Sequence, residues 1–399
     1  MRNVLATFLI FLLLLPASAT GEILIIKHTV KQTFGGSQSP DDARISAMAK
    51  AKREALEEAG TYIESLTVVQ NSKVEKDEIL ALTAGVLKAE VISQENYASK
   101  DAFGIEIVVN VVVDTAVLEE RVKKLLQDKT HLTQLKDIQK REKELLQKVA
   151  QLEEENHKLT AEKQSTEKLK KEFQEASDGL AAVDWFYKAN ALWNGKKLAD
   201  PIKAIEYLNN AIKLQPNHAN VYNNRGIAYA SLGQYQLAID DYNKAIRLEP
   251  DHASAYNNRG NAYANLGQHQ QAIDDFNHVL RLEPNHASAY NNRGIAYFKL
   301  GQYKRAIVDY NKALRLEPDH ANAYNNRGNA YFKLGQYKLA IDDYNKAIQL
   351  KPDDVAYYNR GNAYFSQGNK KLGCRDAKKA CKLGTCKALE WAKDNGYCR

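Results

Sequence analysis

The chain has 399 residues, of which 44% are apolar and 26% charged, with a formal net charge of +7. That length accommodates two or three domains, and Lys and Glu interleave through its middle without a basic stripe, so nucleic acid is not an expected partner. Residues 1–19 read as a secretory signal peptide: Arg2, an apolar run from Val4 to Leu15, then Pro16-Ala17-Ser18-Ala19. The Ala17-x-Ala19 pattern predicts cleavage before Thr20, and the run is too short for a stable membrane span. The alternative is an uncleaved anchor. The expected address is the periplasm.

Residues 20–116 form the next segment. Glu22–Phe34 and Gly104–Val113 are rich in β-branched residues and read as strands, with a third strand over Lys88–Tyr97. Between them, Ile45, Met48, Ala55, Leu56, Ala59, Ile63 and Leu66 trace one face of a helix opened by Pro40-Asp41-Asp42. One helix on a small sheet is an α+β domain. Its Ala-rich helix, Val69-x-Asn71, Asp77-x-Ile79 and Gly85 resemble the N-terminal domain of flagellar assembly protein T and related envelope proteins.

Residues 117–177 turn to Lys, Glu, Gln and Leu. With Leu135 at heptad position a, Ile138, Leu145, Leu152, Leu159 and Phe173 fall at d and Val149 at a. Asn156 at a would fix the register of two parallel strands. The pattern predicts a coiled coil that makes a homodimer. The alternative is one solvated helix held by Glu–Lys pairs.

A 34-residue period runs through the C-terminal half. Gly226, Gly260, Gly294 and Gly328 keep this step, as do Tyr222, Tyr256, Tyr290 and Tyr324, and Pro216 through Pro352. Such a period marks stacked units that each bury an apolar face only against their neighbours. In the unit Ala219–His252, Tyr222, Gly226 and Tyr229, then Ala238, Tyr242 and Ala245, lie at helical spacing on either side of Ser231-Leu232-Gly233-Gln234. Pro250 ends the second helix. These residues resemble the tetratricopeptide repeat family. Four near-identical copies fill 219–354. A degenerate copy precedes them, with Trp185, Ala189, Leu192, Ala204, Leu208 and Ala211, and a sixth follows from Val355 with Gly373 where the others place Ala. The predicted architecture is mainly α: a solenoid of about six helix-turn-helix units over residues 182–384, preceded by the coiled-coil helix and the α+β domain, with a capping helix in 385–399.

The resemblance implies a concave surface lined by the first helix of each unit. Its groove positions hold Asn223, Asn224, Asn257, Asn258, Asn291, Asn292, Asn325, Asn326 and Asn359, with Asn261, Asn329 and Asn362 one turn on. A ladder of carboxamides can hydrogen-bond a peptide backbone without reading side chains, and it looks like the asparagine ladder of the O-GlcNAc transferase superhelix. The lysine positions of the family's carboxylate clamp hold Asn or Ser, which argues against chaperone binding. Phe298, Phe332 and Phe365 either anchor apolar side chains or complete the core. Arg225, Arg259, Arg293, Arg327 and Arg360 are read as a ladder with Asp on the second helices. His218, His252, His286 and His320 recur one unit apart, too far to share a metal, and read as turn residues.

The four cysteines, Cys374, Cys381, Cys386 and Cys398, close the chain. With Lys370–Lys382 and Cys386–Asp394 as helices about a turn at Leu383-Gly384-Thr385, the pairs Cys381–Cys386 and Cys374–Cys398 are within disulfide reach. A four-cysteine zinc site is the rival. There is no phosphate loop, nucleophile elbow or zinc-protease motif, so no catalysis and no cofactor are expected. Two functions remain: a scaffold that binds a peptide or protein in an envelope assembly, or a structural spacer.

Overall fold

The computed structural model describes residues 23–35, 37–64, 66, 69, 74, 76–98, 103–162, 167–193 and 198–398. The signal-peptide reading falls outside them. The chain divides into two compact units, Met1–Lys197 and Leu198–Arg399.

The first unit is built on β1 (Ile23–Phe34), β2 (Lys88–Ala98) and β3 (Phe103–Asp114), an antiparallel sheet in the order β1-β3-β2. The β1–β3 register runs unbroken from Ile23↔Asp114 to Phe34↔Phe103, while β2 carries an irregularity between Val91 and Ser93. Ile105, Ile107, Val109, Val111 and Val113 alternate along β3 and are all buried, as the two-residue period of a strand requires. Helix α1 (Pro40–Glu64) covers that face with Ala47, Ala51, Ala55, Ala59 and Ile63, a stripe of small residues that lets it lie close to the sheet. Helices α2 (Lys76–Val86), α3 (Thr115–Gln127), α4 (Lys129–Glu162) and α5 (Glu167–Asn190) complete the unit.

The intermolecular coiled coil read over 117–177 is not shown; that segment forms helices packed within one chain. Helices α4 and α5 pack on each other and on α1, so the apolar seam closes within one chain. Leu135 joins the sheet core, and Val149, Leu152, Leu169 and Phe173 form a second cluster against Ile45 and Ala49 of α1. Asn156 is buried too and clamps a loop of the same chain. Its Nδ2 donates to the Gly35 carbonyl at 2.7 Å and its Oδ1 accepts from the Ser37 amide at 2.8 Å. The heptad pattern is also the pattern of a helix packed on its own domain, which is why sequence periodicity did not separate the two.

A polar cluster sits where α1, α4 and α5 meet. Arg53 lies 3.6 Å from Glu142 and donates to the Gln139 carbonyl, and Gln139 Nε2 donates to the Tyr187 hydroxyl at 2.7 Å. Burial pushes the Glu142 carboxyl up from 4.5 to about 7, with Arg53 pulling the other way. A carboxyl raised on folding contributes stability below its unfolded value and loses it as pH rises through its folded one. The protein is therefore expected to lose up to about 3 kcal/mol of stability between pH 4.5 and about 7 through this group. In thermal melts Glu142→Gln should remove that dependence, raising Tm at pH 8 while leaving it nearly unchanged at pH 4.5.

The second unit is a stack of helices: α6 (Pro201–Leu214), α7 (Ala219–Ser231), α8 (Tyr235–Leu248), α9 (Ala253–Asn265), α10 (His269–Leu282), α11 (Ala287–Lys299), α12 (Tyr303–Leu316), α13 (Ala321–Lys333), α14 (Tyr337–Leu350), α15 (Asp354–Ser366), α16 (Lys370–Leu383) and α17 (Lys387–Asp394). Each first helix (α7, α9, α11, α13, α15) pairs with the helix after it and packs on the next unit. Trp185 and Ala189, read as the first half of a degenerate repeat, lie on α5 in the N-terminal unit. The turn inside each complete unit is made by a glycine at φ of 73–77°, Gly233, Gly267, Gly301, Gly335 and Gly368.

The helix crossing inside a unit needs a second glycine. A Cβ on Gly226, Gly294 or Gly328 would stand 2.5–2.7 Å from the ring of Tyr242, Tyr310 or Tyr344. The last unit exchanges these volumes. Ala377 replaces the tyrosine, so a Cβ on Gly361 meets nothing closer than 3.4 Å, and the Phe365 ring fills the space above Gly373. This accounts for Gly373 where the other units hold Ala. At the chain end Cys374 pairs with Cys398, Cα atoms 5.5 Å apart, and Cys381 with Cys386. Gly294→Ala should cost about 1–3 kcal/mol by overpacking, whereas Gly361→Ala should be neutral or stabilise by up to about 1 kcal/mol through helix propensity. Urea denaturation of the two variants reads the contrast.

Candidate functional site

The first helices of successive units lie side by side, α7 on α9, α9 on α11, α11 on α13 and α13 on α15. This packing places one Asn-Asn pair, or in the last unit Asn359, beside the next along the array. Sequence reasoning treated these side chains as a solvent-facing ladder. The structure shows them joined to one another. Asn258 Nδ2 donates to Asn223 Oδ1 at 3.1 Å, Asn292 to Asn261 at 3.0 Å, Asn326 to Asn291 at 3.1 Å and Asn359 to Asn325 at 2.9 Å. Within units, Asn223 donates to Asn224 and Asn291 to Asn292. Asn223 and Asn291 are buried, while Asn224, Asn257, Asn258, Asn292, Asn325, Asn326 and Asn359 are half-buried.

This placement divides the predicted site residues. Asn223, at 0% exposure, has its carboxamide engaged on both sides, donating to Asn224 and accepting from Asn258. Asn258, Asn292, Asn326 and Asn359 each commit one N–H to the preceding unit, and a primary carboxamide carries two. Asn257 Oδ1 is a buried acceptor without a hydrogen-bond partner among the described residues. Asn329, one turn on, accepts from the Tyr344 hydroxyl at 2.8 Å. The reach of a carboxamide between neighbouring helices is set by helix spacing, which the linear sequence does not display.

The arginines anchor the site from beneath. Arg225, Arg259, Arg293, Arg327 and Arg360 each form a two-pronged bond to the Asp of their own second helix, Asp241, Asp275, Asp309, Asp343 and Asp376, with Nε–Oδ2 distances of 2.6–2.8 Å. The remaining nitrogen, Nη1, donates at 2.6–2.7 Å to an asparagine on the second helix of the preceding unit: Asn209, Asn243, Asn277, Asn311 or Asn345. Each guanidinium also lies over a tyrosine of its own helix, as Arg225 does 5.6 Å from the Tyr222 centroid. Burial pushes the Asp241, Asp275 and Asp343 carboxyls up, and the bonds and charge of Arg225, Arg259 and Arg327 pull them back.

The remaining repeated residues have local roles. His286 and His320 accept from the Ala289 and Ala323 amides at their helix starts, and His252 bonds Asn220. Among the described residues no group of three His, Cys, Asp or Glu is placed to hold a metal. Phe298 and Phe332 pack on Tyr303 and Tyr337, and Phe365 on Trp391 and Tyr397, which places them in the core at the turns.

Removing one arginine strands a buried acid, since the Asp309 side chain is 4% exposed. Arg293→Ala is expected to cost about 3–5 kcal/mol, and Arg293→Lys to recover only part of it because the fork is lost. Denaturant midpoints of the two variants test this.

Tetratricopeptide repeat models match residues 219–252, 253–286 and 321–354, further tetratricopeptide repeat models match 276–308 and 355–383, and a TPR repeat model matches 296–335. None of these matches reaches residues 20–116, and the resemblance of that segment to flagellar assembly protein T is not confirmed by them. No curated protein matches the chain. Among solved structures, the chain is similar to MamA (residue 41 to its end) from Desulfovibrio magneticus RS-1, at 28% identity over 41% of this chain and 94% of that one, TM-score 0.39. It is similar to YrrB, described as a TPR protein with an unusual peptide-binding site, at 24% identity over 47% and 99%, TM-score 0.41. It is also similar to pilF of Pseudomonas aeruginosa, at 15% identity over 54% and 99%, TM-score 0.48. Among the described residues no helix is long and apolar enough to cross a membrane. Tetratricopeptide repeat units thus occupy residues 219–383 of this chain.

Proposed function

We propose that the protein is a non-catalytic scaffold of the periplasm whose repeat array holds an extended peptide segment of a partner protein along its first helices. The observation that supports this is the run of half-buried carboxamides, Asn258, Asn292, Asn326 and Asn359, at one per unit. Each has one N–H engaged on the array, which orients the amide and leaves its second N–H to meet a ligand carbonyl. An amide held in place before binding loses less rotamer freedom when a ligand arrives. The signal-peptide reading and the two cysteine pairs support the compartment, since disulfides persist in oxidising environments. The competing function is a spacer whose array only packs on a neighbour.

The discriminating experiment selects linear peptides from a displayed random library against the chain and against Asn258→Ala/Asn292→Ala/Asn326→Ala. Peptides that bind the parent at least tenfold tighter than the triple variant are expected. Because each substitution also removes an inter-unit hydrogen bond, the variant should be about 3 kcal/mol less stable, at about 1 kcal/mol per bond. Selection of no linear peptide by the folded parent would leave the spacer reading.

A further inference from the structure

The first helices pack side by side with the same chain direction, so the turns inside the units all emerge along one edge of the array. Those turns are chemically unequal. In the two units from Ala219 to His286 the segments 228–239 and 262–273 contain no Lys, Arg, Asp or Glu. In the next unit the corresponding segment carries Lys299, Lys304 and Arg305, and the following one Lys333 and Lys338. The last adds Lys370 and Lys371, and just past the segment Arg375 stands where the first two units hold Asp240 and Asp274. All eight side chains are exposed. The acids that follow are largely spoken for: Asp309, Asp343 and Asp376 sit in the arginine forks, and Asp342 is the exposed one.

The opposite edge, made by the turns between units, carries both signs there, with Arg315, Lys351 and Lys382 beside Glu317, Asp319, Asp353 and Asp354. In the last three units the excess of cations is therefore confined to the edge of the turns inside the units. Apolar groups accompany the cations. Leu300 is 41% and Trp391 47% exposed, Trp391 lies against Tyr397, and Lys370 sits 4.3 Å over the Tyr397 ring. Lysines on flexible stems beside a half-exposed Trp and Leu suit an interface that is anionic at its surface and apolar just below.

We propose that this edge, from Lys299 to Arg375, docks on the anionic headgroup surface of a lipid bilayer. Eight cations spread over three units match a charged plane, and the exposed Leu300 and Trp391 would have no role against a free polyanion. The site is separate from the carboxamide row, so a docked array keeps that row open to a peptide.

Co-sedimentation with vesicles tests the proposal, using the chain from Thr20 so that the apolar leader does not contribute. The protein should bind phosphatidylcholine vesicles containing phosphatidylglycerol, more weakly at high salt, and should not bind phosphatidylcholine alone. Each cation near such a surface contributes about fivefold in affinity. Lys299→Glu/Lys304→Glu/Lys333→Glu/Lys338→Glu should therefore bind at least about a hundredfold more weakly with an unchanged circular dichroism spectrum. Arg247→Glu/Arg281→Glu, on the opposite edge, should bind as the parent does. Undiminished binding by the first variant, or equal loss in both, overturns the proposal. Binding of soluble polyphosphate without any vesicle binding overturns it in favour of a free polyanion.

Discussion

The arginine fork is the interaction on which the array depends. A solenoid has no central core, so each interface between units must be sufficient in itself. One guanidinium ties together the two helices of its own unit and the interface with the unit before. Its Nε and Nη2 grip an aspartate on the second helix of its own unit, and its Nη1 reaches an asparagine on the second helix of the unit before. Planar geometry with fixed donor directions makes this possible, and an ammonium would serve only one direction at a time. The fork also fixes the rotation of the first helix, and that rotation aims the carboxamides one and two residues before it at the neighbouring helix.

Helix separation is set by volume exchange beneath the fork. Glycine at the crossing admits a whole tyrosine ring from the second helix, and that ring then fills the space under Gly226, Gly294 and Gly328. The final unit shows that the rule concerns volume rather than residue type, because Ala377 and Phe365 reverse the arrangement. The outer side of that helix pair is covered by α17, Trp391 and Tyr397, tied down through Cys398.

The N-terminal unit obeys a different constraint. A three-stranded sheet with one helix buries little on its own, and here α4 and α5 supply further apolar surface. That use accounts for the apolar character of Leu135, Ile138, Val149, Leu152 and Phe173, all buried within one chain. It also places Glu142 where it is expensive to ionise.

What the sequence determined by itself was whatever repeats or alternates locally. The 34-residue step, the glycine and proline stops, the strands of β-branched residues and the pairing of Arg with Asp were legible because each is set by backbone geometry over one or two helices. The nested cysteine pairs followed from the length of one helical hairpin, and the structure sets Cys374 beside Cys398 and Cys381 beside Cys386. The tertiary structure alone decided what depends on which surface meets which. A heptad of leucines specifies an apolar stripe but not the identity of its cover, so Asn156 became a clamp on Gly35 and Ser37. A row of asparagines specifies donors and acceptors but not the spacing of the helices that carry them. Only the packed array showed that neighbouring carboxamides satisfy one another first, because their separation depends on the rings and glycines beneath them and not on their positions along the chain.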